Sequence, residues 1–154
     1  MPDMEQDEAR ERFAAARVAR LATIAPSGRP HLVPVVFASR GDDVVTAIDH
    51  KPKSTLRPAR LRDIAVHPAV CLLADLYDED WERLWWVRAD GGARVLEPGA
   101  PDEETRAGHA DAVELLRAKY PQYVDRPPQG PVVAVSVLHW TGWRYAPGSR
   151  PPGH

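Results

Sequence analysis

Two turns dictate how this chain begins to fold. Pro26, Ser27, Gly28, Arg29 and Pro30 make one, and Arg40, Gly41, Asp42 and Asp43 make the other. Glycine readily takes a positive φ and proline presets φ at about −65°, so such clusters interrupt regular structure. They separate three runs rich in valine, leucine and isoleucine, at 18–25, 31–39 and 44–49. Extended runs joined by tight turns predict an antiparallel meander.

Beyond the meander the pattern alternates between helical and extended periods. Helices are predicted at 3–17, about 55–66 and 101–120, the last burying Ala112, Val113, Leu115, Leu116 and Tyr120. Ser54 or Thr55 can cap the middle helix, and Pro58 is tolerable in its first turn, where no intrahelical N–H bond is needed. Further strands are predicted at 70–77, 84–96 and 132–145, with a bulge or bend at Gly91 and Gly92. The proline-rich stretch 121–131 reads as an irregular connection. The fold class is therefore mostly β (α+β): a closed or partly closed barrel of about six antiparallel strands with peripheral helices.

A chain of 154 residues with 44% hydrophobic content fits one domain, placed at 1–146, with a disordered polar tail at 147–154. No apolar run approaches the roughly 20 residues that span a bilayer, and the acidic N-terminus is no signal peptide. The single cysteine, Cys71, excludes an internal disulfide and fits a reducing cytoplasm. Its apolar neighbours assign it to core packing.

Charge is unevenly placed. Residues 51–62 hold Lys51, Lys53, Arg57, Arg60 and Arg62 and no acid, in a chain of net charge −2. The segment joins a strand end to a helix start, where unpaired N–H groups and the helix dipole favour an anion. Ser54 and Thr55 add hydroxyl donors. Lys51 and Lys53 alternate to one side, and Arg57 and Arg60 share a helix face, so a phosphate or polycarboxylate site is one reading. The other is a solvated face paired with Asp49, Asp63 or the acids at 78–82. Arg62 points away and reads as a surface charge. The cations are too compact for a nucleic-acid track, and the net charge opposes one.

The acidic run around Asp78, Glu79 and Asp80 lacks the glycine and the bidentate glutamate of a calcium loop, and the histidines lack metal-ligand spacing, so no metal site is expected. No nucleophile or nucleotide motif appears, and no catalytic residue is assigned. Trp85 and Trp86 are adjacent on a strand and face opposite sides. One fills the barrel. The other, sharing its side with Arg88, suits a flat ligand or an interface.

With these pieces placed, the chain resembles the pyridoxamine 5'-phosphate oxidase-like split β-barrel family, an FMN-binding-protein-like fold. The carrying residues are those at 18–37, Lys51, Pro52, Lys53 and Ser54, those at 60–70 and 84–94, and Trp140, Gly142 and Trp143 near the end. The resemblance covers roughly 10–146 and is closest to the branch using coenzyme F420, a deazaflavin with a phosphate and an oligoglutamate tail. It implies that Lys51, Lys53, Ser54 and neighbouring Thr55 hold the phosphate and that Arg57 and Arg60 meet the tail. It also implies a homodimer with cofactor sites at the interface, Trp85, Trp86 and Trp143 being ring-lining or cross-subunit groups. The FMN oxidases of the family carry Arg-x-x-x-x-Lys on the second strand, where this chain reads Leu32, Val33, Pro34, Val35, Val36 and Phe37. That departure favours F420, with FMN the alternative. The implied activity is hydride transfer between F420 and a small or planar organic substrate. Related FMN chemistry and non-catalytic F420 or flavin binding are the alternatives.

Overall fold

The computed structural model describes residues 4–48 and 58–147. They form helix α1 (Gln6–Ala15), strands β1 (Ala19–Ile24), β2 (Pro30–Val35), β3 (Ala38–Arg40) and β4 (Asp43–Ala47), and helix α2 (Ala59–Val66). Then follow β5 (Ala69–Leu76), β6 (Trp85–Leu96), α3 (Glu103–Lys119), α4 (Gln122–Asp125) and β7 (Val132–Arg144). A single 3₁₀ turn, Trp81–Arg83, precedes β6.

The strands make one antiparallel sheet ordered β2-β1-β5-β6-β7-β4-β3. Its two outermost strands, β2 and β3, are separated in sequence only by Val36 and Phe37. Two residues reach about 10 Å at most from Val35 to Ala38, so the opposite edges of the sheet must meet there. The sheet is thereby curled into a barrel. The predicted strand at 31–39 is really two strands, which is why seven appear in place of six.

Alternation along the strands separates inside from outside. Leu21, Leu72, Val87, Ala89 and Val135 face inward and are all but fully buried. α1 plugs the barrel with Phe13, whose ring centroid lies 4.5 Å from Phe37 and 5.3 Å from Trp140. The plug is tethered at Asp42, whose Oδ1 accepts from Arg10 Nε and Trp140 Nε1, each at 2.8 Å. Those bonds hold its carboxyl below the ordinary carboxylate range. Gly91 lies at the register shift of the β6–β7 ladder, and a Cβ there would run into the Ser136 carbonyl oxygen. This confirms the bulge and explains the glycine.

α3 covers part of the outside. Asp102 caps it by accepting from Thr105 N–H at 2.9 Å, and Glu103 and Glu104 suit its positive end. Ala112, Leu116 and Tyr120, spaced at i, i+4 and i+8, pack on Ala38, Val45, Ala47, Leu96 and Val132. The stretch after Pro121 is less irregular than its prolines suggest, because α4 occupies it. Cys71 is a second correction. It is half-buried on the outer face, while its neighbours Val70 and Leu72 face the core.

Tyr120 secures the closure. Its hydroxyl accepts the Phe37 N–H at 3.1 Å and lies 2.7 Å from Phe37 O and 3.0 Å from Arg17 O, the acceptors between which its proton is shared. Phe37 lies between two strands, so this hydroxyl supplies what a ladder otherwise would. Burial pushes the phenol pKa up. Beside it, Lys119 Nζ donates to Ala16 O at 2.7 Å and sits 3.8 Å from the centre of the Phe37 ring. Burial, with the Arg17 charge adding to it, lowers the Lys119 pKa to about 8. Replacing Tyr120 by Phe keeps the ring but strands two buried backbone groups. The expected loss is about 1–3 kcal/mol in urea denaturation. An unchanged midpoint and slope would show that the hydroxyl does not secure this corner.

Candidate functional site

The registers sort the strand ends into two rims. The end of β1, the start of β2, the start of β5, the end of β6, the start of β7 and the end of β4 lie together. Ile48 leaves from this rim and hydrogen-bonds to Pro131 O at 3.2 Å. α2 packs against β1 and β6 here before feeding β5. The flanks of the basic segment thus belong to this first rim. Lys51, Lys53, Ser54, Thr55 and Arg57, with the predicted start of the middle helix, lie outside the described residues. Arg60 is half-buried in the first turn of α2, and Arg62 is exposed, as expected of a surface charge.

The same rim holds a polar cluster that sequence reasoning missed. Asp63, on α2, is fully buried. Its Oδ2 accepts from Thr23 Oγ1 at 2.8 Å and pairs with His31 Nδ1 at 2.7 Å. Thr23 and His31 are direct partners across the β1–β2 hairpin. The hairpin turn, which the sequence does show, could have paired those two. Nothing in the sequence brings Asp63 to them. Burial on its own would raise the Asp63 pKa. The hydrogen bonds from Thr23 and His31, helped by the positive charge of protonated His31 and of Arg62, outweigh it and hold the carboxyl below its ordinary value.

The tryptophans lie at the other rim. Trp85 pairs with Leu76 and Arg144, and Trp86 with Asp75 and Trp143. Trp85 packs against the core, with the Arg12 guanidinium 5.6 Å from its ring centre. Trp86 faces outward, as alternation required. With Leu73, Asp75, Tyr77 and Arg88 it lines an open groove of about 320 Å³. Arg88 sits 6.0 Å from its ring centre and pairs with Asp90 at 3.0 Å. Arg20 meets Asp75 at 3.3 Å. Trp143 is buried beside Trp86 on the outer face. The six residue steps along β6 from Trp86 to Gly92, which pairs with Ala69 at the start of β5, span roughly 20 Å. The strand that α2 feeds therefore begins at the opposite end of β6 from the tryptophans. Among the described residues no group of His, Cys, Asp and Glu is arranged to hold a metal, and no helix is long and apolar enough to cross a membrane.

The Asp63 cluster makes stability depend on pH. The folded carboxyl binds a proton less readily than the unfolded one. Its contribution is therefore complete above the ordinary carboxylate range and is lost as pH falls through the lower folded value. Asp63→Asn should lower Tm near neutrality, and its deficit relative to wild type should shrink between about pH 5 and about pH 2. Thermal melts across that range check this, and a pH-independent deficit would contradict it.

The geometry agrees with comparisons to known proteins. No curated protein matches the chain. Among solved structures, a FAD-binding protein from Mesorhizobium loti superposes with a TM-score of 0.68 at 17% identity, covering 94% of this chain and 97% of that one. The FAD-binding protein from Mycobacterium smegmatis gives 0.62 at 20% identity, covering 94% and 99%. HutZ, the heme storage protein from Vibrio cholerae, gives 0.64 at 14% identity, covering 90% and 93%. These likenesses establish the split-barrel fold. The pyridoxamine 5'-phosphate oxidase family profile matches residues 5–144, nearly the whole described barrel, and the chain belongs to that family.

Proposed function

We propose that this protein is an F420-dependent oxidoreductase. It would transfer a hydride between the deazaflavin and a small or planar organic substrate, at sites shared by two copies of the chain. The observation that carries this reading is the acid-free basic run at 51–62 in the sequence, whose described flanks, Ile48 and α2, stand at one rim of a split barrel. Its donor set suits a phosphate and a polycarboxylate tail. Lys51, Lys53, Ser54 and Thr55 would take the phosphate, and Arg57 and Arg60 the tail. The second strand supports F420 over FMN, since it lacks the Arg-x-x-x-x-Lys pattern. The bound cofactor supplies the hydride chemistry, and the chain's own residues bind it, orient it and limit water.

The separation of the two rims supports a homodimer. Trp86 and the half-buried Leu73 on the outer face would reach a ligand held by the partner's basic segment. Exposed apolar residues elsewhere on that face, Ile24 and Leu32, fit an interface. The reading of the chain as a flavin protein keeps its own support, because two structural neighbours are FAD-binding proteins. Non-catalytic binding stays the further alternative, since one neighbour in the fold is a heme storage protein.

Titration of purified protein with F420, FMN and FAD, followed by cofactor fluorescence, separates these readings. Tightest binding of F420 is expected. Lys53→Ala should weaken it by about 1.5–3 kcal/mol, or roughly 10- to 150-fold. Preference for FMN or FAD would favour the flavin reading, and no binding of any of the three would refute both. Oxidation of bound reduced cofactor by a panel of acceptors then distinguishes an enzyme from a storage protein.

A further inference from the structure

The Asp63 cluster does more than fasten a helix to a hairpin. An ionised carboxylate can only accept hydrogen bonds, so the contact at 2.7 Å requires a proton on His31 Nδ1. The Asp63 side chain is fully buried, which shields that contact from water, and Thr23 fixes the same oxygen from the other side at 2.8 Å. The imidazole itself is 40% exposed, and its Nε2 has no partner among the described residues. A buried carboxylate on one ring nitrogen and an open second nitrogen is the arrangement that orients a histidine for proton transfer. A neutral pair could join α2 to the hairpin without the cost of burying a charge. Asp63 and Arg62 are the charged groups that α2 brings to the cluster, and β1 contributes the uncharged Thr23. His31 also stands on the rim from which Ile48 departs and at which α2 packs.

We propose that His31 is the proton-exchanging group of this rim and that Asp63 is its positioning residue. The inference rests on the cofactor reading above. When an acceptor double bond is reduced, one atom takes a hydride from the anionic reduced deazaflavin or flavin, and the other takes the Nε2 proton of a His31 ring protonated on both nitrogens. The cofactor loses two electrons, the acceptor gains two hydrogens, and His31 is left neutral with its proton on Nδ1. Water then returns a proton to Nε2. In the oxidising direction Nε2 accepts the proton instead.

Nitrogen-15 NMR of the histidine rings tests this, with His31→Gln used to assign the His31 signals. Neutral His31 in the free protein should carry its proton on Nδ1. Saturation with whichever of F420 or FMN binds should shift the Nε2 signal. Asp63→Asn should move the tautomer balance toward Nε2–H, whereas His31→Gln should leave the fold intact because the site is half-exposed. Neutral His31 of the free wild type carrying its proton on Nε2 in place of Nδ1, or an unchanged balance in Asp63→Asn, overturns the positioning role. Cofactor binding seen by fluorescence with an unmoved Nε2 signal overturns the proton-exchange role alone. Absence of any cofactor binding overturns the cofactor reading and this proposal with it.

Discussion

The structure depends on how the sheet closes. A seven-stranded sheet with free edges would expose two rows of unpaired backbone groups. Here the chain itself joins the edges, passing from β2 to β3 through Val36 and Phe37. That step leaves the Phe37 backbone without a ladder, and Tyr120, arriving from the end of α3, supplies the missing partners. The same residue therefore fixes both the barrel's closure and the seat of the helix outside it. Phe37 then packs on Phe13 of the α1 plug, so plug, corner and outer helix form one connected unit.

Closure also creates two rims with different chemistry. One carries α2, Asp63, His31 and the departure point of the basic segment. The other carries the tryptophans and the groove beside Trp86. Cations and hydroxyls suit the anionic part of a cofactor, and a half-buried indole suits a flat ring. Their separation along the barrel makes a second copy the natural way to combine them. On the proposed reading, a site shared by two chains would let a protein with so few motifs of its own bind a large, charged, planar molecule.

Much of this was legible in the sequence because it is written in local signals. The turns at Gly28 and Gly41, both with positive φ, and the alternation of β1, β5, β6 and β7 gave the elements. Glycine at 91 marked the bulge. The break at Val36 and Phe37 was not legible, since both residues favour strands and what bends the chain there is a distant tyrosine. Cys71 was misread because an apolar run does not say which of its members faces inward. The opposition of Trp85 and Trp86 followed from alternation alone, but their distance from α2 followed only from the registers. Asp63 was hidden most completely. It sits 32 residues from His31 and 40 from Thr23, and only the packing of α2 joins them.

The central claim, that each cofactor site takes its basic segment from one chain and its tryptophan from the other, has a direct test. Lys53→Ala and Trp86→Ala chains are prepared separately, each binding cofactor weakly, then unfolded together and refolded as a mixture. If sites are shared in a two-fold dimer, random pairing gives mixed dimers with one doubly altered and one intact site, so about a quarter of all sites should bind F420 with wild-type affinity. Mixing that restores no tight sites, while wild type refolded in the same way regains them, would contradict the shared site.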